Sequence, residues 1–268
     1  MPHQPRFCDG VEVVPLCDAI GEMRGPLRRP LPEIFPGADP AELGEVWTLH
    51  FHCYLLRGPG DRLVLVDTGI GPVGSPASDW APVPGALRDE LSAVGVPPDE
   101  IDVVVLTHLH GDHIGGAVHK GEPAFRNARY VAQQAELEWI QQREPPAIDK
   151  IVRVIGDRWQ PVAGTAELVP GVRVHHTPGH TPGHQIVEVG ELTITGDLLL
   201  HPVQLARPEV RYRYDDDPEQ AVTTRVDVLN RLRASGRTIA TAHFTEPFTP
   251  TADASSSGAR GAGQIPPG

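Results

Sequence analysis

Cysteine is scarce. The 268 residues include only Cys8, Cys17 and Cys53, and so sparse and odd a set builds no disulfide framework and suits a reducing compartment. Long apolar runs are missing too: none approaches the ~20 residues that a membrane span requires. The opening MPHQPRFCDG lacks the basic stretch and apolar core of a signal peptide. A cytoplasmic protein that spans no membrane is the expectation. Positive charge is in deficit, with 23 Lys and Arg against 35 Asp and Glu and a net charge of -12. An acidic surface repels phosphate backbones and anionic lipids, which argues against a nucleic-acid partner. The one basic cluster, Arg24, Arg28 and Arg29, reads as a solvated loop. No repeat of solenoid period is present.

Ordinary globular material fills the rest. Hydrophobic residues make up 40% and charged residues 22%, enough to build a sizeable core at this length. Proline (29) and glycine (28) are abundant, which predicts many loops. Residues 1–44 read as an irregular arm, Pro- and Gly-dense from Gly21 to Leu43, with a short helix near Ala41. A hairpin follows, from Val46 through the turn GPGD to RLVLVDTG. Apolar spacing at Leu87, Leu91 and Val94 predicts a helix ended by Gly95-Val96-Pro97. IDVVVLTH is a continuous apolar run of the kind that forms a buried strand. Beyond it the pattern predicts a strand over 128–132, helices over 133–142 and 148–155, the strands VRVHH, QIVEVG and ELTITGD, a helix over 218–235 and the strand TIATAH. The tail over 249–268 reads as disordered. Strands dominate each half and helices separate them, so two packed sheets with helices outside are expected.

Chemistry concentrates in Thr107-His108-Leu109-His110-Gly111-Asp112-His113. Three imidazoles and a carboxylate lie within six residues, directly after a buried strand. Neutral imidazole and carboxylate suit zinc, and also manganese, iron or cobalt, and the absence of Cys excludes a structural Cys-rich zinc site. His108 and His110 point the same way if the strand continues, while Asp112 and His113 lie past a Gly turn and can face a second point. Two further histidines stand in TPGHTPGH; on spacing alone His180 and His184 are equal candidates. Asp197 ends the strand before it and could bridge two cations, and His243 ends TIATAH. Strand ends that each deliver His or Asp point to convergence at one sheet edge.

HLHGDHIGG, with TPGHTPGH, TGD and the late AH, resembles the metallo-β-lactamase-fold hydrolase superfamily over roughly residues 46–248. The resemblance implies an α+β chain built as a four-layer αββα sandwich, two mixed sheets face to face with helices outside, over 45–248. It assigns His108, His110 and His180 to one metal, and Asp112, His113 and His243 to the other. Asp197 bridges the two, and Asp67 of VDTG supports the metal loop from behind. Two divalent ions, Zn2+ foremost, are the implied cofactor. A bridging Asp and a Cys-free motif are unlike true β-lactamases. The order after the bridging Asp is similar to lactonases and, more closely, to the methyl parathion hydrolase group. Quorum-quenching lactonases carry a Tyr shortly after that Asp, where this chain has Leu200.

Hydrolysis of a small-molecule ester, lactone or thioester by a bridging hydroxide is the expected reaction, with Asp112 also moving a proton. Phosphotriester hydrolysis and iron-dependent oxygen chemistry on the same scaffold are the alternatives. Enzymes of this group are often homodimers. Among the remaining residues, His50 and His52 alternate on one strand and read first as strand packing. His119, His184 and His201 are expected not to bind metal. Trp80, Trp139 and Trp159 read as core residues before pocket walls.

Overall fold

The computed structural model describes residues 3–58, 62–143 and 146–251. Its strands in chain order begin β1 (Arg6–Cys8), β2 (Val11–Gly21), β3 (Leu49–Arg57), β4 (Leu63–Val66) and β5 (Val103–Val105). A two-stranded hairpin of β6 (Val118–His119) and β7 (Glu122–Pro123) follows, then β8 (Arg129–Val131). The second half supplies β9 (Thr165–Val169), β10 (Val172–His176), β11 (Gln185–Val189), β12 (Leu192–Ile194), β13 (Thr238–Ala240) and β14 (Phe248–Pro250). The first sheet runs β1-β2-β3-β4-β5-β8, antiparallel through β4 and parallel across β4, β5 and β8. The second runs β14-β13-β12-β11-β10-β9 and is antiparallel except between β12 and β13.

Helices are α1 (Leu31–Ile34), α2 (Pro40–Leu43), α3 (Leu87–Ala93), α4 (Gly111–Ile114), α5 (Gln134–Arg143), α6 (Pro146–Ile155), α7 (Pro202–Ala206) and α8 (Pro218–Ala234). The two sheets bury apolar side chains against each other: Val13, Tyr54, Leu56, Val64 and Val103 from the first meet Val172, Val174, Val187 and Ile194 from the second. The first sheet's outer face carries Leu55, Leu65 and Val104, covered by Leu91 of α3, Ile140 of α5 and Ile151 of α6. On the far side α8 lays Val228, Leu229 and Leu232 over Ile186 and Ile239. The αββα layering explains the sequence of β5. A strand buried on both faces has no solvent side to alternate toward.

The arm expected over residues 1–44 is not irregular throughout. β1 and β2 form a hairpin and join β3 in the first sheet. The turn is Asp9-Gly10, both at positive φ (47° and 79°). Asp-Gly between two strands is a strong short-range hairpin signal, and it stands in the sequence as CDGV. Pro15 fits within β2 because β1 pairs only as far as Val13, so Pro15 sits where β2 has lost that neighbour, and an edge tolerates proline. The stretch after β2 is the expected loop, and α2 falls where a short helix was anticipated, started by an Asp39–Glu42 capping box. Thr249 and Pro250 belong to β14 and Thr251 is buried, so the tail does not begin at 249; residues 252–268 lie outside the described residues. So do residues 59–61, where the GPGD turn was placed. No helix among the described residues is long and apolar enough to cross a membrane.

Candidate metal centre

The loops that leave β5, β10, β12 and β13 meet at one edge of the sandwich. β5 stops at Val105, and the chain does not continue extended through the histidines: His110 is the N-cap of the one-turn helix α4. The turn still points both imidazoles inward, with His108 Nε2 2.9 Å from His110 Nδ1. His180, from the β10–β11 loop, brings Nε2 to 3.0 Å from His110 Nδ1. Asp197 follows β12 through Gly196. That glycine has φ 49°, and a Cβ there would come within 2.8 Å of Thr107 and 2.9 Å of His184. Only glycine permits both the turn and the approach.

Asp197 divides its two oxygens. Oδ2 lies 3.3 Å from His180 Nε2 and 3.8 Å from His108 Nε2. Oδ1 lies 3.2 Å from His113 Nε2 and 3.1 Å from His243 Nε2. Asp112 Oδ2 is 3.5 Å from each of those two nitrogens. One ligand atom each from His108, His110, His180 and Asp197 falls within 4.8 Å of the others, and the same holds for Asp112, His113, Asp197 and His243.

The atoms behind these nitrogens orient them. His113 Nδ1 donates to Asp67 Oδ2 at 2.8 Å. Asp67, at φ 62° in a buried position, also accepts from Thr107 N at 2.8 Å and Thr107 Oγ1 at 2.8 Å. A non-glycine residue at positive φ is the kind of strain that clusters at functional sites. His243 Nδ1 donates to the His50 carbonyl at 2.9 Å. His180 Nδ1 lies 2.9 Å from Asp215 Oδ1, and Asp215 faces the buried Arg225 at 3.5 Å. Arg225 in turn donates to the carbonyls of Leu198 and Val210 at 2.9 and 2.6 Å. His184 is not among the converging atoms: its Nε2 accepts the Asp197 N–H at 3.1 Å and its Nδ1 sits 2.9 Å from Thr177 Oγ1. Buried Glu136 accepts from Leu109 N at 2.8 Å and Gly183 N at 2.9 Å, clamping the two histidine loops together. Asp215, Arg225 and Glu136 carry no local motif, and sequence reasoning missed them.

The charge balance asks for cations. Burial drives His108 and His110 well below the usual imidazole range, so both rings are neutral. At His180 burial pushes down, but the carboxylates of Asp197 and Asp215 prevail and raise it to about 9. Burial also loses at His113, to Asp197, Asp112 and Asp67, and at His243, to Asp197 and Asp112. Burial raises Asp112; at Asp197 the same push is overcome by His113 and His243. Buried carboxylates here hold protons on neighbouring rings for want of another positive charge. His113 Nε2 and Asp197 Oδ1 are moreover buried without a hydrogen-bond partner. Native interiors rarely leave such atoms orphaned, and a divalent cation between them would satisfy both.

A cavity of about 230 Å³ opens onto this cluster. Met23 and Leu27 of the N-terminal loop, Leu49, Trp80, Leu200, Tyr212 and Tyr214 wall it, with His110, Asp112, His180, Asp197 and His243 at its floor. Of the three tryptophans considered, Trp80 lines the cavity. Trp159 packs against Tyr130 in the outer core, and Trp139 packs there too while its ring lies 5.9 Å from that of His110. His201 caps α7, accepting from Val203 N at 3.1 Å.

A family model described as the metallo-beta-lactamase superfamily matches residues 48–243. An N-acyl homoserine lactonase of Bacillus sp. is 33% identical over 173 residues, 59% of this chain and 64% of the relative. The chain thus spans less than two thirds of the length of that curated relative. Among solved structures, hydrolase AbOPH of the beta lactamase superfamily is 25% identical, with TM-score 0.74 over 92% of this chain and 91% of the other. AidC, a dizinc quorum-quenching lactonase, is 20% identical with TM-score 0.77 over 92% and 96% of the two chains; at that identity the likeness is one of fold.

Proposed function

The chain belongs to the metallo-beta-lactamase superfamily, and from that premise we propose that it is a metal-dependent hydrolase acting on a small-molecule ester, with a lactone ring as the first choice of substrate. The observation that carries the reading is the divided carboxylate of Asp197, one oxygen turned to each of two histidine sets. His108, His110 and His180 would hold one divalent ion, Asp112, His113 and His243 the second, and Asp197 both. An all-nitrogen-and-oxygen donor set without thiolate favours zinc. Ions bound there supply Lewis-acid polarisation of the scissile carbonyl and a water that ionises near neutral pH.

The chain's own residues do the rest. Asp112 Oδ2 faces His113 and His243, which leaves Oδ1 to take the proton of the attacking water and return it to the leaving alkoxide. Burial raises the Asp112 carboxyl, which suits a group that must hold a proton between two steps. Tyr212 is kept a neutral phenol, burial pushing it well above the usual range with Asp197 and Asp112 adding to the push. Its ring lies 6.0 Å from that of His180 on the cavity wall, where a phenol can orient a substrate oxygen. Tyr214 donates to Leu27 O at 2.7 Å and ties the N-terminal loop over the cavity. Met23, Leu27, Leu49 and Trp80 give the mouth an apolar wall that fits an acyl or alkyl substituent. The lactonase relative supports the choice of a lactone.

The test is a substrate panel on zinc-loaded protein: N-acyl homoserine lactones, simple lactones, aryl esters, thioesters and phosphotriesters. Lactones should show the highest kcat/KM. His110→Ala should lose at least about two orders of magnitude in kcat, the scale of removing a group that acts in the transition state, while its circular dichroism stays unchanged. Full activity in that variant, or no hydrolysis of any member of the panel, would sink the proposal.

A further inference from the structure

Three more imidazoles meet outside the centre just described. His50 and His52 are two residues apart on β3 and therefore project to one side of the sheet. Their rings stack with centroids 5.2 Å apart. His3 sets its ring edge-on to His52, centroids 5.4 Å apart. One nitrogen from each of the three lies within 4.8 Å of the others.

His52 explains why this is more than a packed cluster. Its Nε2 lies 3.0 Å from the Phe244 carbonyl oxygen. A carbonyl only accepts, so Nε2 carries the ring proton and Nδ1 carries a lone pair. That Nδ1 is buried with no hydrogen-bond partner, in a residue only 3% exposed. Neutral imidazole with a free lone pair is the state in which histidine binds metals.

We propose that His3, His50 and His52 form an accessory site for one borderline-soft divalent cation of the zinc or copper(II) class. Three imidazoles suit those ions and not the hard, oxygen-seeking calcium or magnesium. Cys17 Sγ stands 3.8 Å from His50 Nδ1 but is not among the convergent donor atoms, which come from His3, His50 and His52. Glu246 is near enough to act on His50 and adds negative charge beside the rings. Metal–imidazole bonds of about 2.0–2.1 Å bring bound nitrogens within ~3.5 Å of one another, closer than the 4.8 Å envelope here. His3, half-buried on the short segment ahead of β1, is the ring placed to make that closure. The site stands back to back with the main centre, because the His50 carbonyl is the acceptor of His243 Nδ1.

Zinc titration of the metal-loaded wild type, followed calorimetrically and by elemental analysis after gel filtration, tests this against His3→Ala. His3 is half-buried on the segment ahead of β1, so its removal spares the core. The wild type should retain one zinc per chain more than His3→Ala. With copper(II) as the probe, its electron paramagnetic resonance spectrum should carry nitrogen couplings that His3→Ala weakens. Equal zinc content and identical isotherms in the two proteins would overturn the site, and so would an extra ion that persists in the variant. The readout is a difference between chains with the same catalytic cluster, so it stands or falls apart from the hydrolase reading.

Discussion

His180 and His184 are four residues apart and equivalent by spacing, yet the fold gives their ring nitrogens different partners. His184 spends both nitrogens on the chain itself, accepting from Asp197 N and contacting Thr177 Oγ1. His180 keeps Nε2 toward Asp197 and anchors Nδ1 on Asp215. A carboxylate behind an imidazole fixes its tautomer and strengthens it as a ligand, and losing such a partner costs about 10–100-fold in metal affinity. Asp215→Asn, which keeps an acceptor oxygen but removes the charge, should weaken zinc binding on that scale in competition with a chromogenic chelator. Unchanged affinity would reduce Asp215 to a packing partner of Arg225.

Asp18 joins three elements that are distant in sequence. Its Oδ2 accepts from Ile70 N and its Oδ1 from Leu87 N at the start of α3, both at 2.7 Å, and its main-chain oxygen accepts from Ala86 N at 2.7 Å. β2 thereby holds the loop after β4 and the helix beside it. Burial raises the Asp18 carboxyl to about 6, against the downward pull of those N–H groups. Between pH 4 and 6 the folded state therefore keeps a proton that the unfolded chain has already lost, so this group's contribution to stability falls as pH rises through that window. Asp18→Asn cannot titrate. Denaturant melts at pH 4, 5, 6 and 7 should show the variant gaining on the wild type up to pH 6, by on the order of 2–3 kcal/mol for a shift of about two units, and then running parallel. A constant difference across the series would refute the assignment.

The molecule as a whole hangs its site between two sheets. His108, His110, Asp112 and His113 follow β5 of the first sheet, while His180, Asp197 and His243 follow strands of the second. Cations held by both sets would cross-link the sandwich and favour the folded state through binding alone. With free zinc at a hundred times its Kd the gain is about 2.7 kcal/mol per site, and at about 2–4 °C per kcal/mol for a chain of this size exhaustive chelation of both sites should lower Tm by about 10–20 °C. Zinc should restore it, as followed by scanning calorimetry. An unchanged Tm in chelated, metal-free protein would mean that the sheets carry the site without help.

The candidate donors could be named one by one, because metal-ligand chemistry resides in residue type and HLHGDH crowds four such residues into a single turn. The layering was legible as well, since β5 and α8 announce their burial through local apolar pattern. Folding settled what depends on distance. It chose the second nitrogen's partner for each imidazole, brought Glu136, Asp215 and Tyr212 to the site from stretches without a motif, and laid the loop bearing Met23 and Leu27 across its mouth. It also turned an arm read as irregular into two strands, because Asp9-Gly10 could act as a hairpin turn only where β3 offered an edge to pair with. Contacts between residues distant in sequence have no periodicity to be read from; only the packed chain decides them.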